Sequence, residues 1–294
     1  MVQRITSQML MRSAQANLQA SMASLAKLQD QAGTQKAISK PSDDPAGAGE
    51  SMRIRADQRA LAQYSTNIGD GLAWLSTADD ALSSATGTLQ TVRDLVVQGA
   101  NSGTMNPASR EAIATQLDSL KAELLAVANT KYAGRSIFAG NSDAGEAFTA
   151  SYTHTAAPGS AVERRISDTS TVRVDVDGSA AFGSGSSSVF ALIDTISADL
   201  RAGTPISSHL TAVDGALSSI LGEQSRVGSR YGQLETTKEL NMSQSGSLES
   251  QRADVEDVDL SKVILELKTQ EVAYQTALAV TSRALQPTLM SFLS

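Results

Sequence analysis

The 294-residue sequence contains no cysteine, so disulfides, thiolate metal sites and cysteine nucleophiles are all excluded. Histidine is almost as scarce, with only His154 and His209, which lie in different segments and cannot together build a zinc centre. Aromatic residues make up 4% of the chain, including the single Trp74, too few for a large compact core built on rings. No run of 18 apolar residues occurs, so no segment is expected to cross a membrane. Near the N-terminus Arg4, Gln8, Arg12, Gln15 and Gln19 interrupt every candidate apolar core, and no cleaved signal peptide is expected. Excess positive charge is lacking too: 24 Lys and Arg face 31 Asp and Glu, giving a net charge of −7. Without a basic stripe to displace counterions, nucleic acid is not an expected partner.

What the sequence does have is heptads. Leu61, Ile68, Leu75, Leu82, Leu89 and Val96 recur every seven residues, with Tyr64, Gly71, Ala78, Ala85 and Val92 as a companion set. Such a pattern predicts one long helix from Ala46 to about Gly99, packed closely on partner helices through its small residues. A second long helix is predicted to open near Pro205, with Ile206, Val213, Ile220, Val227 and Leu234 seven apart. Between them, Asn106-Pro107 caps a shorter helix carrying Ile113, Leu117, Leu120, Leu124 and Val127. Residues Val189 to Leu200 predict one more short helix.

Both chain ends continue the rule. Met11, Leu18, Leu25 and Ala32 recur by sevens, with Met22 and Leu28 beside them. At the far end Ile264, Leu267, Tyr274, Leu278 and Leu285 alternate spacings of three, seven, four and seven. Polar residues (Gln29, Glu271, Thr281) interrupt these stripes, so each seam buries little alone and invites a partner. Heptads vanish between Phe138 and Gly185, where Gly, Ser, Thr and Ala abound. There Val172, Val174 and Val176 alternate before Gly178, reading as a strand that ends in a turn. The expected fold is therefore mainly α: an elongated antiparallel bundle of long coiled-coil-like helices with a small β-rich inserted domain. Its expected parts are terminal segments 1–45 and 256–294, a helical rod over 46–137 and 186–255, and the insertion at 138–185.

Motifs for chemistry are missing. No Gly-x-Ser-x-Gly elbow and no Gly-x-x-x-x-Gly-Lys loop is present. Ser42-Asp43-Asp44-Pro45 reads as a helix cap rather than an acid–base pair. The densest acidic patch, Asp254, Glu256, Asp257 and Asp259, reads as caps and solvated faces. Asp175-Val176-Asp177-Gly178 lacks the later Glu of a calcium loop and reads as a hairpin turn. No convergent polar pocket, catalytic residue, metal ligand or cofactor is expected.

Several blocks carry a family resemblance. Arg4-Ile5-Thr6-Ser7, Asn17-Leu18 and Lys40-Pro-Ser-Asp-Asp-Pro-Ala-Gly-Ala-Gly49 resemble the N-terminal signature of the bacterial flagellin family, and Gln63 to Leu72 resembles its next block. Val258-Asp-Leu-Ser261, Leu265-Glu-Leu267 and Tyr274 to Ala279 resemble its C-terminal end. Within the family, Tyr132 to Gly140 followed by Phe148 resembles the branch that joins hook to filament, and the Phe-Asn-Gly block of filament subunits is absent. The resemblance implies a secreted, non-enzymatic structural subunit at the hook–filament junction, sent out by flagellar type III export. It also implies a ring of copies of itself, with flagellin, a neighbouring hook-associated protein and a cytosolic export chaperone as partners. Subunit contacts are expected on the terminal stripes: Ile5, Met11, Leu18, Met22, Leu25, Leu28, Ile264, Leu267, Tyr274, Leu278, Leu285 and Leu289. A short flagellin is the alternative reading, and a secreted adhesin or hydrolase on a helical stalk a more distant one.

Overall fold

The computed structural model describes residues 2–100 and 106–285, with backbone alone at 2–8, 10 and 283–285. Among the described residues seven α-helices occur in order: α1 (Val2–Thr34), α2 (Pro45–Ala100), α3 (Pro107–Ala128), α4 (Gly178–Phe182), α5 (Val189–Ala202), α6 (Leu210–Glu256) and α7 (Leu260–Leu285). Two small antiparallel sheets lie between α3 and α4. One pairs β1 (Lys131–Tyr132) with β2 (Arg135–Ser136), and the other pairs β3 (Glu163–Arg165) with β4 (Thr171–Arg173).

The chain forms two compact units, residues 1–59 with 245–294 and residues 60–244. The second unit holds the large core. Ile68, Leu75, Leu82, Leu89 and Val96 are fully buried, as are Ala78, Ala85 and Val92 of the companion set. Val213, Ile220, Val227 and Leu234 of α6 join the same cluster, together with Ile113, Leu117 and Leu124 of α3. Small residues permit the close packing that the heptads predict. A Cβ added at Gly71 would stand 3.0 Å from Leu234 and 3.1 Å from Val174.

Helix ends follow their capping chemistry. Asn106 accepts the Ser109 amide at 2.7 Å, with Pro107 in the first turn where its missing N–H costs nothing. Ser188 caps α5, which stops at Gly203 in the left-handed region (φ 77°). The second long helix begins at Leu210 rather than beside Pro205, because a 3-10 turn over Ser207–His209 intervenes.

The middle segment differs from its sequence reading in two places. Asp177 and Gly178 do not form a hairpin turn: Asp177 caps α4 by accepting the Ser179 amide at 2.9 Å, and Gly178 opens that helix. Glycine is required there, since a Cβ would meet the Phe138 carbonyl at 2.6 Å. The hairpin turn falls instead at residues 166–170, between β3 and β4. Strand pairing is brief, and an aromatic cluster of Phe138, Phe148, Phe182 and Phe190 fills the interior. Its ring centroids are 5.2 to 5.9 Å apart.

Candidate assembly interface and its supporting joint

The first unit is built around the pairing of α1 with α7. The two run antiparallel, since Lys36 bridges Asp257 at one end and Gln270 meets Ser21 further along. Burial in α1 follows Ala14, Leu18, Ser21, Leu25, Leu28 and Ala32, alternating steps of four and three. In α7 the same rhythm runs through Val263, Leu267, Gln270, Tyr274, Ala277 and Thr281. This is the spacing of a two-helix seam. Polar members are accommodated within it: Gln270 Nε2 donates to Ser21 Oγ at 3.0 Å and to the Ser21 carbonyl at 3.3 Å.

Of the stripe residues expected from sequence, Leu18, Leu25, Leu28, Leu267 and Tyr274 are half-buried along this seam. Met11, Met22, Ile264 and Leu278 are exposed, between 41% and 54%. The side chains of Ile5 and Leu285, and all of Leu289, lie outside the described residues. Further apolar side chains stand in solvent beside them, notably Met9 at 72%, Leu265 at 69%, Val272 at 63% and Val280 at 62%. A pair of helices that satisfies one seam and leaves this much apolar surface free has room for further neighbours.

Behind the pair stands a joint that the sequence reading missed. Glu256, expected on a solvated face, is 3% exposed and accepts hydrogen bonds from four side chains. Arg55 grips it with two bonds, Nε to Oε1 at 2.7 Å and Nη2 to Oε2 at 2.8 Å. Arg252 Nη1 adds a bond at 3.0 Å and Lys36 Nζ one at 3.3 Å, and Ser51 Oγ donates to Oε1. The Arg55 bonds chiefly hold the Glu256 carboxyl far below the usual carboxylate range, against the opposing effect of burial, with Ser51 and Lys36 adding to them. Backbone bonds lock the same place: Ala37 N donates to Glu256 O at 2.7 Å, and Val258 N to Gln35 O at 3.3 Å. The only available signal was spacing, since Arg252 and Glu256 are four apart on one helical face.

Two other acidic residues, Asp44 and Asp259, serve as caps, as the sequence suggests. Asp44 Oδ1 accepts the Ala46 amide at 3.0 Å, at the start of α2. Asp259 Oδ1 accepts the amides of Ser261 and Lys262 at 2.9 and 3.2 Å, at the start of α7. Asp43 instead pins the preceding turn through the amides of Ser39 and Lys40.

A polar cavity of about 470 Å³ opens in the middle segment, contrary to expectation, lined by His154, Ser160, Arg173, Asp175 and Asp177 among others. Its charges are committed to the fold. Buried Asp175 accepts both Arg173 Nε and Arg173 Nη2 at 2.9 Å and the Val162 amide at 2.8 Å, while His154 Nε2 bonds the Phe138 carbonyl. Among the described residues no group of three or more His, Asp or Glu is placed to hold a metal ion. No helix among them is long and apolar enough to cross a membrane.

Long heptad helices with paired chain ends define a class. The bacterial flagellin N-terminal helical region matches residues 5–143 and the C-terminal helical region residues 210–293. The chain belongs to the bacterial flagellin family, a family of structural flagellar proteins. Flagellar hook-associated protein 3 of Salmonella typhimurium is 26% identical, over 93% of this chain and 94% of that one. Flagellin of Bacillus subtilis is 28% identical over 85% of each. Among solved structures, the flagellar junction protein FlgL of Legionella pneumophila superposes with a TM-score of 0.57 at 16% identity, over 70% of this chain and all of that one.

Proposed function

We propose that this chain is a secreted, non-enzymatic structural subunit that joins the hook of the bacterial flagellum to its filament. The observation that carries the reading is the α1–α7 pair, which closes one seam and leaves apolar rows exposed at Met11, Met22, Ile264 and Leu278. Near-complete alignment with a hook-associated protein 3 supports the junction role over the filament role. Docking runs head to tail between copies, because a heterologous contact builds rings and open helical arrays rather than closed dimers. The terminal segments 1–45 and 256–294 supply the assembly contacts, including Ile5, Leu285 and Leu289. The rod segments 46–137 and 186–255 carry load, with the small domain at 138–185 inserted between them. Flagellin lies on one side of the ring and another hook-associated protein on the other, and a cytosolic export chaperone holds the chain before secretion.

Deleting the gene tests this. Hooks without filaments, with flagellin shed into the medium, are the expected result. Cells that keep normal filaments of another flagellin would overturn the junction role. Cells that lose filaments and shed no flagellin would point to the second reading, a short flagellin, which the Bacillus subtilis relative favours.

A further inference from the structure

Methionine is ordinarily among the residues most often buried. Here every methionine whose side chain is described stands in solvent: Met9 at 72%, Met11 at 54%, Met22 at 52%, Met52 at 62% and Met242 at 67%. None belongs to the hydrophobic core, which is built from Leu, Ile, Val, Ala and aromatic residues. With no cysteine in the chain, its eight methionine thioethers are its only sulfur. Three of them ride on α1, the helix whose exposed apolar side chains await a partner.

We propose that Met11 and Met22 are oxidation sites in the free chain, and that their conversion to sulfoxide blocks docking of α1 and α7 onto a second copy. The inference rests on the assembly reading given above. A sulfur lone pair attacks one oxygen of hydrogen peroxide and the O–O bond breaks. Sulfur gains that oxygen and loses two electrons, and the remaining oxygen leaves as water after proton transfer. The product is polar and accepts strong hydrogen bonds. Burying it in an apolar seam without a donor carries a desolvation penalty that the thioether does not. A thioether adapts to irregular partner surfaces, and the sulfoxide loses that use. Docked copies cover Met11 and Met22, so the vulnerable interval is the one before assembly. Met242, on α6 of the other unit, serves as an internal reference.

The test uses the full chain and hook–basal bodies isolated from cells lacking its gene. Purified chain is treated with hydrogen peroxide, mapped by mass spectrometry, and added back to the isolated bodies for co-sedimentation, with contacts between neighbouring copies read by chemical cross-linking. Met11 and Met22 should oxidise at rates comparable to Met242 in the free chain. Bound chain should then fall roughly tenfold or more, since each methionine loses an apolar contact of this order. A Met11→Leu, Met22→Leu variant keeps apolar character at both exposed positions and carries no sulfur there, and its bound fraction after the same treatment should equal that of the same variant left untreated. Treatment with methionine sulfoxide reductases of both stereospecificities should restore the wild type. Oxidised wild type that binds undiminished, or a leucine variant that loses binding equally, overturns the inference. So does protection of Met11 and Met22 in the free chain. Failure of untreated chain to bind at all would overturn the assembly reading itself, a result distinct from these.

Discussion

At Glu256 one carboxylate answers to two arginines, a lysine and a serine, and its worth depends on how wet its partners are. The carboxylate is buried, but the Arg55 side chain is 57% exposed and that of Lys36 34%. Solvent screening therefore discounts the full cost of breaking a buried pair. Glu256→Gln is expected to destabilise the first unit by about 1–3 kcal/mol, read as a lower melting temperature. Its pH dependence follows from the depressed folded pKa. The stabilisation is fully present above the unfolded value of 4.5 and is lost as pH falls toward the folded value. The gap in melting temperature between wild type and Glu256→Gln should thus be constant from pH 7 to 5 and shrink below about pH 4. A gap that persists unchanged at pH 3 would mean the Glu256 bonds contribute nothing specific. Local sequence hid this joint because Lys36, Ser51 and Arg55 meet Glu256 only through tertiary folding, some 200 positions away.

The helices were the most legible feature, and the reason is geometric. A heptad of apolar residues repeated five or six times has one low-energy solution, a long helix with a buried stripe. Leu61 to Val96 and Val213 to Leu234 therefore announced both the element and its inward face. The ends carried less information: Met22 and Leu278 sit one position off the α1–α7 seam, a distinction that spacing alone does not draw. In the middle segment, two- and three-residue strands leave almost no periodicity, and the Phe cluster that organises it is assembled from scattered positions. Packing makes the stripe testable. Leu82→Ala removes a fully buried side chain from α2 and should lower stability by about 2–5 kcal/mol in denaturant melts. Leu240→Ala, on an exposed face of α6, should change it by less than about 0.5 kcal/mol. Equal effects at the two sites would contradict the division between buried and free helical faces. At the cap of α7, Asp259→Ala should cost about 1 kcal/mol, visible as faster amide exchange over Ser261 and Lys262.

For the molecule as a whole, the distribution of burial divides the labour. Among the described residues, the large hydrophobic cluster runs from Ile68 to Leu234 and draws on none of the first unit. Among its described residues the first unit contributes few buried apolar side chains, Ala48, Ile54, Leu248 and Val263, and it relies on the Glu256 joint and a half-buried seam. Free energy that scales with buried apolar area must then reside mostly in the second unit. Residues 60–244 expressed alone should accordingly fold cooperatively, with a melting transition close to the main transition of the full chain. The same fragment should show no binding to isolated hooks, having lost both terminal helices. In the full chain, hydrogen exchange should be fastest in α1 and α7 and slowest along Ile68–Val96, because opening free energy tracks buried contacts. Addition of hooks should slow exchange in α1 and α7 first, where the proposed docking would cover Met11, Met22, Ile264 and Leu278. A fragment that binds hooks without its ends would place docking on the rod instead. Were exchange in α1 and α7 already as slow as in α2 before hooks are added, the terminal pair would be a finished structure and not a surface awaiting partners.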